Sequence, residues 1–271
     1  MLNKKLFILL MVISLFIANV VFAQTRTVVT LGGSWWNAAY SFVDEDGKEL
    51  AEIGNGNNFG PYISINHGKV NFGASLLFGT FPVDAYNLGL DIFDLDTDVN
   101  MSRNDLNFTL GYRVLPNLNV FAGAKYLKLA IDVDIKDIPT EYDDWGNPID
   151  FDDANIKLND GGMMYGLGAS AVIPLGTAGM YAFGSIAVMG GIMKSDTTIS
   201  FMELSEEFEG SENAAVLGAL NLGLGYRFPS GLGINVGYRA DLLNRELEQV
   251  DEIIQTRINV QGLIVTASYS F

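Results

Sequence analysis

The chain has 271 residues, a formal net charge of −16, one histidine, no cysteine and 49% hydrophobic residues. Such acidity argues against a basic face for DNA, RNA or anionic lipid, so no nucleic-acid partner is expected. The lack of cysteine excludes disulfides and a lipidated-cysteine anchor.

The first 23 residues have the order of a secretory signal peptide. Lys4 and Lys5 precede an apolar run from Leu6 to about Ile17, and Val21 and Ala23 occupy the −3 and −1 positions of a small-residue cleavage site. An uncleaved anchor is the alternative, because the run approaches the ~20 residues of a spanning helix. The reading is a cleaved leader over 1–23 and one domain over 24–271. Beyond the leader no uninterrupted apolar stretch reaches ~18 residues, so no transmembrane helix is expected.

Ten strand-like segments follow. The first covers about Thr25 to Phe42, then a loop "VDEDGKELAEIGNGN" leads to the second, Asn58 to Asn66. A turn at "NHGK" gives the third, Val70 to Val83, and "DAYNLGLDIFDLDTDVN" leads to the fourth, Met101 to Leu115. Pro116-Asn117 turns into the fifth, Leu118 to Ile135, and the longest loop spans Lys136 to Asn159. The sixth, Asp160 to Ile173, turns through "PLGTAG" into the seventh, Met180 to Ile199. A loop "FMELSEEFEGSE" precedes the eighth, Asn213 to Phe228, and "PSG" turns it into the ninth, Leu232 to Leu247. "EQVDE" leads to the tenth, Ile253 to Phe271. Tight Pro, Gly and Asn turns on one side and long loops on the other describe an up-and-down meander.

The alternation selects a membrane barrel over a soluble sandwich. In the eighth segment Val216, Leu220, Leu222, Leu224, Tyr226 and Phe228 share one parity, while Asn221, Gly223, Gly225 and Arg227 share the other. Leu232, Ile234, Val236 and Tyr238 likewise oppose Gly233, Asn235, Gly237 and Arg239, and Leu106, Phe108, Leu110 and Tyr112 oppose Asp105, Asn107, Gly111 and Arg113. The second face is too small and polar for a packed core and too uncharged for a wet surface. A barrel with its apolar face toward lipid and its polar face toward a lumen satisfies both, and closure removes the unpaired edges. Tyr62, Phe72, Tyr112, Tyr226, Phe228, Tyr269 and Phe271 gather near the tight-turn end as an interfacial girdle. Of 32 Asp and Glu residues, all but Asp105, Asp160 and Asp196 fall in the long loops or the strand ends beside them.

Two segments change phase. Leu127, Leu129, Ile131 and Val133 oppose the parity of Val120 and Tyr126, and Ile258 and Val260 oppose Leu263, Val265 and Tyr269. One-residue bulges near Lys125–Leu127 and Gln261–Gly262 would keep both halves facing lipid. The facing of "GSWWNAAY" and "SIAVMGGIM" stays open.

The last strand, ending Tyr269-Ser270-Phe271, resembles the C-terminal assembly signal of Gram-negative outer-membrane β-barrels. The leader, the repeated "GYRVLPN" and "GYRFPSG" ends and the girdle extend that resemblance over the mature chain. It resembles small barrels of the OmpA-like and OmpW-like type. The resemblance implies an all-β, up-and-down transmembrane barrel of about ten strands in the outer membrane, with short periplasmic turns and long acidic extracellular loops. Eight strands remain if the second or seventh segment fails. The partners implied are outer-membrane lipid, lipopolysaccharide and the barrel-assembly machinery, which would read Tyr269 and Phe271.

Little chemistry is available for catalysis. Omptin-type barrels use His and Asp at the outer rim, whereas the one histidine, His67, lies in a tight turn at the other end. Without cysteine or a second histidine the usual nucleophile pairings are missing, so no enzyme is expected. The clusters Asp91, Asp94, Asp96, Asp98 and Asp143, Asp144, Asp150, Asp152, Asp153 have calcium-type oxygens but no recurrent ligand spacing. They read as solvated loops, so neither a metal nor a cofactor is expected. Loose cation bridging to lipopolysaccharide phosphates is the alternative. Arg113, Arg227, Arg239 and Arg257 form the candidate lumen-facing basic cluster. Ion pairs filling a narrow barrel and a positive constriction selecting anions are the two readings. They correspond to a surface scaffold with a largely plugged polar lumen and to a narrow channel for small or apolar solutes.

Overall fold

The computed structural model describes residues 27–43, 49–83, 96–136, 141–142, 148–149, 154–176, 179–201, 204–249 and 252–271. The proposed leader and the aspartates 91, 94, 143, 144, 150, 152 and 153 lie outside these. The strands are β1 Thr27–Val43, β2 Glu49–His67, β3 Val70–Val83, β4 Asp96–Leu115, β5 Leu118–Lys136, β8 Ala154–Pro174, β9 Met180–Phe201, β10 Leu204–Arg227, β11 Leu232–Gln249 and β12 Glu252–Ser270. A separate two-stranded hairpin, β6 Glu141–Tyr142 with β7 Pro148–Ile149, sits between β5 and β8 in sequence.

The ten long strands close into one antiparallel barrel in the order β1-β12-β11-β10-β9-β8-β5-β4-β3-β2. Each strand pairs with its sequence neighbour in the barrel, and β1 pairs with β12 from Thr30↔Ser270 to Val43↔Arg257. That seam is why the C-terminal segment must be a strand: without it β1 would leave an open edge in hydrocarbon. Phe271 N–H continues the ladder by donating to Val29 C=O at 2.9 Å.

The tight turns fall where the Gly, Pro and Asn clusters put them, at 68–69, at 116–117, around Leu175, Gly176 and Gly179, and at 228–231. Gly68, Gly176, Gly179 and Gly231 all have positive φ. The opposite connections differ from the sequence reading. "FMELSEEFEGSE" is not a long loop: β9 pairs with β10 up to Phe201↔Leu204, so Glu206, Glu207 and Glu209 are strand residues. β11 and β12 likewise pair out to Gln249↔Glu252, and β2 starts at Glu49. Acidic residues in these extensions are compatible with strand because a hairpin outside the bilayer has water on both faces, so its composition resembles a loop.

The expected bulges are absent. β5 keeps an unbroken register with β4 and β8 through Lys125–Leu127, and β12 keeps one with β1 and β11 through Gln261–Gly262. Leu127, Leu129, Val133, Ile258 and Val260 therefore point into the barrel, where they are buried. With Phe81, Met101, Met164, Met193, Leu217 and Leu243 they form an apolar core inside the barrel. The polar second face holds only toward the tight turns. Outward residues behave as expected for lipid contact: Leu110, Leu167, Ile186, Val188 and Leu222 are all more than half exposed. Tyr62 is a correction to the girdle, because it lines a cavity in the lumen beside Ser64 and Asn235. The once ambiguous β1 turns Trp36, Ala38 and Tyr40 inward, and β9 turns Ala187, Met189 and Met193 inward.

Candidate functional site in the barrel lumen

Two Arg-x-Asp steps build the centre of the lumen. In a strand, residues i and i+2 share a face, so Arg103 and Asp105 on β4 both point inward, as do Arg239 and Asp241 on β11. Arg103 donates to its own strand partner at 2.7 Å (Nε to Oδ1) and 2.8 Å (Nη2 to Oδ2). Arg239 grips Asp241 in the same way at 3.1 and 2.8 Å.

The two units also exchange partners. Arg103 Nη2 donates to Asp241 Oδ2 at 2.7 Å, and Arg239 Nη2 approaches Asp105 Oδ2 at 3.4 Å. Lys125 of β5 lies between the carboxylates, 2.9 Å from Asp105 Oδ2 and 3.0 Å from Asp241 Oδ2. Arg103 Nη1 donates to Tyr40 Oη at 2.9 Å, and the Arg103 and Arg239 guanidiniums stand 5.1 and 4.3 Å from the Trp36 ring centroid. Arg103, Asp105, Lys125 and Asp241 are at most 2% exposed. Arg239 keeps 14% of its side chain accessible.

β4 and β11 lie on opposite sides of the ring, separated by four strands in either direction. The Arg103–Asp241 pair therefore spans the barrel's diameter. Three cations against two carboxylates leave the cluster one positive charge in surplus. Beyond it, toward the loop ends, Arg245 pairs with Asp160, and Ser195 Oγ donates to Asp160 at 2.5 Å. That pair borders a cavity of about 420 Å³ whose apolar side includes Phe42, Met101, Leu129 and Ile258.

On the tight-turn side the lumen is polar. Asn71 Nδ2 donates to Asn119 Oδ1 at 2.6 Å, Asn235 Nδ2 to Thr266 Oγ1 at 2.8 Å, and Tyr181 Oη to Asn235 Oδ1 at 2.5 Å. Cavities of about 310, 380 and 510 Å³ share residues here and form one vestibule.

The four arginines singled out in the sequence do not form one cluster. Arg113 and Arg227 line the outer vestibule near the turns, and Arg239 sits at its inner end. Arg257 shares the outward parity of β12, is exposed, and donates from Nε to Asn244 Oδ1 at 3.0 Å. It is not lumenal; the bulge expected at Gln261–Gly262, which would have turned it inward, is absent. Tyr269 and Phe271 both face outward, with ring centroids 4.9 Å apart. Sequence reading missed Arg103, Lys125 and Asp241. The repeated Arg-x-Asp on a lumenal parity was the available signal, since like-facing opposite charges in an apolar strand need each other.

A closed ten-strand antiparallel barrel with an outward apolar face and a charged lumen defines an outer-membrane β-barrel protein. The family model for the outer membrane protein beta-barrel domain matches residues 7–185, and the chain belongs to that family. Among solved structures it is similar to the outer membrane protease OmpT from Escherichia coli, with a TM-score of 0.51 and 12% identity over 92% of this chain and 98% of that one. It is also similar to the translocator domain of the autotransporter NalP from Neisseria meningitidis, with a TM-score of 0.53 and 8% identity over 94% and 92%. At these identities the likeness concerns the fold. No curated protein sequence matches the chain. Family and fold together place the protein in the outer membrane.

Proposed function

We propose that this barrel is a non-enzymatic surface scaffold with a largely plugged lumen, its purpose residing in the acidic segments at its loop end. The observation that carries this reading is the ion pair between Arg103 and Asp241 across the barrel's diameter, locked by Lys125 and Arg239. A solute passing that level would have to separate buried charges, which costs several kcal/mol for each charge left unpaired. The apolar packing of Leu127, Met164, Met193 and Leu217 adds a second obstruction.

The non-enzymatic part is supported by chemistry. The lumenal carboxylates Asp105, Asp160 and Asp241 are each held by a cation, so none stands free to take a substrate proton as a general base. His67 is the last residue of β2, beside the first tight turn, where its Nδ1 is 2.9 Å from Thr27 Oγ1, far in sequence and fold from the loop-end carboxylates. OmpT is a protease, but at 12% identity that activity does not transfer. Outer-membrane lipid, lipopolysaccharide and the barrel-assembly machinery are the proposed partners, the last through Tyr269 and Phe271.

A narrow channel is the second reading, favoured by the cavities on both sides of the charged cluster. Planar-bilayer conductance decides between them. On the first reading the folded barrel is silent; on the second it gives discrete steps, altered by replacing Arg113 and Arg227 with Ala.

A further inference from the structure

The vestibule on the tight-turn side has a composition unlike the rest of the chain. Among its described lining residues are Arg113, Arg227 and Arg239 and no carboxylate, in a protein of net charge −16. Arginines in a low-dielectric cleft concentrate anions, because the walls focus the field that bulk water would screen. Its inner end is formed by Arg239, the one cation of the central cluster that borders the cavity.

The charge count of the central cluster favours an anion at its vestibule edge. Asp105 and Asp241 balance two of the three central cations, and the third charge is unmatched. A bound monoanion at Arg239 neutralises that surplus. Nε and Nη2 of Arg239 already face Asp241, so the guanidinium offers an edge and not its full fork. Such an edge takes either oxyanion, and the single surplus charge of the central cluster matches a carboxylate.

The walls specify the remainder of the ligand. Ser34, Ser64, Thr109 and Asn235 present neutral donors and acceptors around a space of about 380 Å³, within the range of small-molecule sites. Tyr62 and Phe183 add ring faces. Asn221 lines this cavity, and its buried Oδ1 has no hydrogen-bond partner among the described residues. An unpaired buried carbonyl is costly, and a turn of the side chain toward the cavity would let it accept from a ligand hydroxyl.

We propose that the vestibule is a binding site for a small polyhydroxylated carboxylate of sugar-acid type, entering from the tight-turn end. Arg239 receives the carboxylate, Asn221 accepts from a hydroxyl, and Arg113 and Arg227 draw the anion in. It rests on the plugged reading only in making the vestibule a dead end.

The test is calorimetric titration of the folded protein in detergent with glucuronate, beside glucose and inorganic phosphate. Expected are saturable glucuronate binding and at least tenfold weaker binding of the other two. Arg239→Gln and Asn221→Leu should each weaken glucuronate at least tenfold in samples whose gel mobility still shifts on boiling. If Arg239→Gln does not fold, Asn221→Leu, outside the ion cluster, carries the test. The site is overturned by no saturable glucuronate binding, by glucose or phosphate matching it, or by folded Asn221→Leu binding like the parent. Conductance steps with intact glucuronate binding would remove the plug and leave the site standing.

Discussion

Arg103 Nη2 and Asp241 Oδ2 stand 2.7 Å apart although their strands, β4 and β11, are on opposite sides of the ring. A pair of this kind acts as a cross-brace, and removing one end leaves the other buried and charged. Loss of one partner of a buried pair costs about 3–5 kcal/mol. Asp241 is the more critical end, since Arg103, Lys125 and Arg239 all meet its carboxylate.

Asp241→Asn is therefore expected to destabilise the barrel by about 3–5 kcal/mol, read as a fall in the urea midpoint of the folded protein. Replacing Arg103 and Asp105 together, with Met and Leu, removes a cation and an anion and keeps the surplus charge unchanged. It should cost less than Arg103→Met plus Asp105→Leu measured separately.

Facing is testable at neighbouring positions of β9. Ile186 is 59% exposed on the lipid side, and Ser185 points into the polar half of the lumen opposite Asn221. Ile186→Arg should cost about 2–4 kcal/mol if the site lies near the midplane of the bilayer. Ser185→Arg should cost well under half of that, because its head group reaches the wet vestibule. Unfolding in urea from lipid vesicles measures both.

The turn glycines differ in what holds them. Gly231 has φ 94° and a Cβ there would stand 2.7 Å from Ser270 C=O, whereas Gly176 has φ 77° and nothing within 4 Å. Gly176→Ala should cost about 1 kcal/mol from backbone conformation alone. Gly231→Ala should cost more, because its turn also receives the Ser270 N–H on Gly231 C=O at 3.0 Å. Paired urea midpoints give the order.

The lipid-facing half of each strand was legible because lipid leaves a period-two record: Leu220, Leu222, Leu224 and Tyr226 have no competing constraint. The lumen leaves a mixed one. Toward the turns it is Asn, Ser and Gly, and the alternation is clean. Toward the loops it is Leu127, Leu129, Ile258 and Val260, apolar like the lipid face, so a sequence cannot separate an inward apolar residue from an outward one displaced by a bulge. Arg257 was misplaced by the same ambiguity. The charged centre escaped for another reason. Lys125 sits on a stretch whose phase was in doubt, and Asp241, midway along β11, counts in the sequence with the acids of the link that follows the strand. Only closure of the ring brings them to Arg103.

The central claim is that the lumen is closed at the Arg103–Asp241 level, and planar-bilayer recording of the folded protein tests it most directly. Folding is first established by a change in gel mobility on boiling. The account predicts a flat baseline from protein that passes this control. Discrete conductance steps from the same preparation would contradict it.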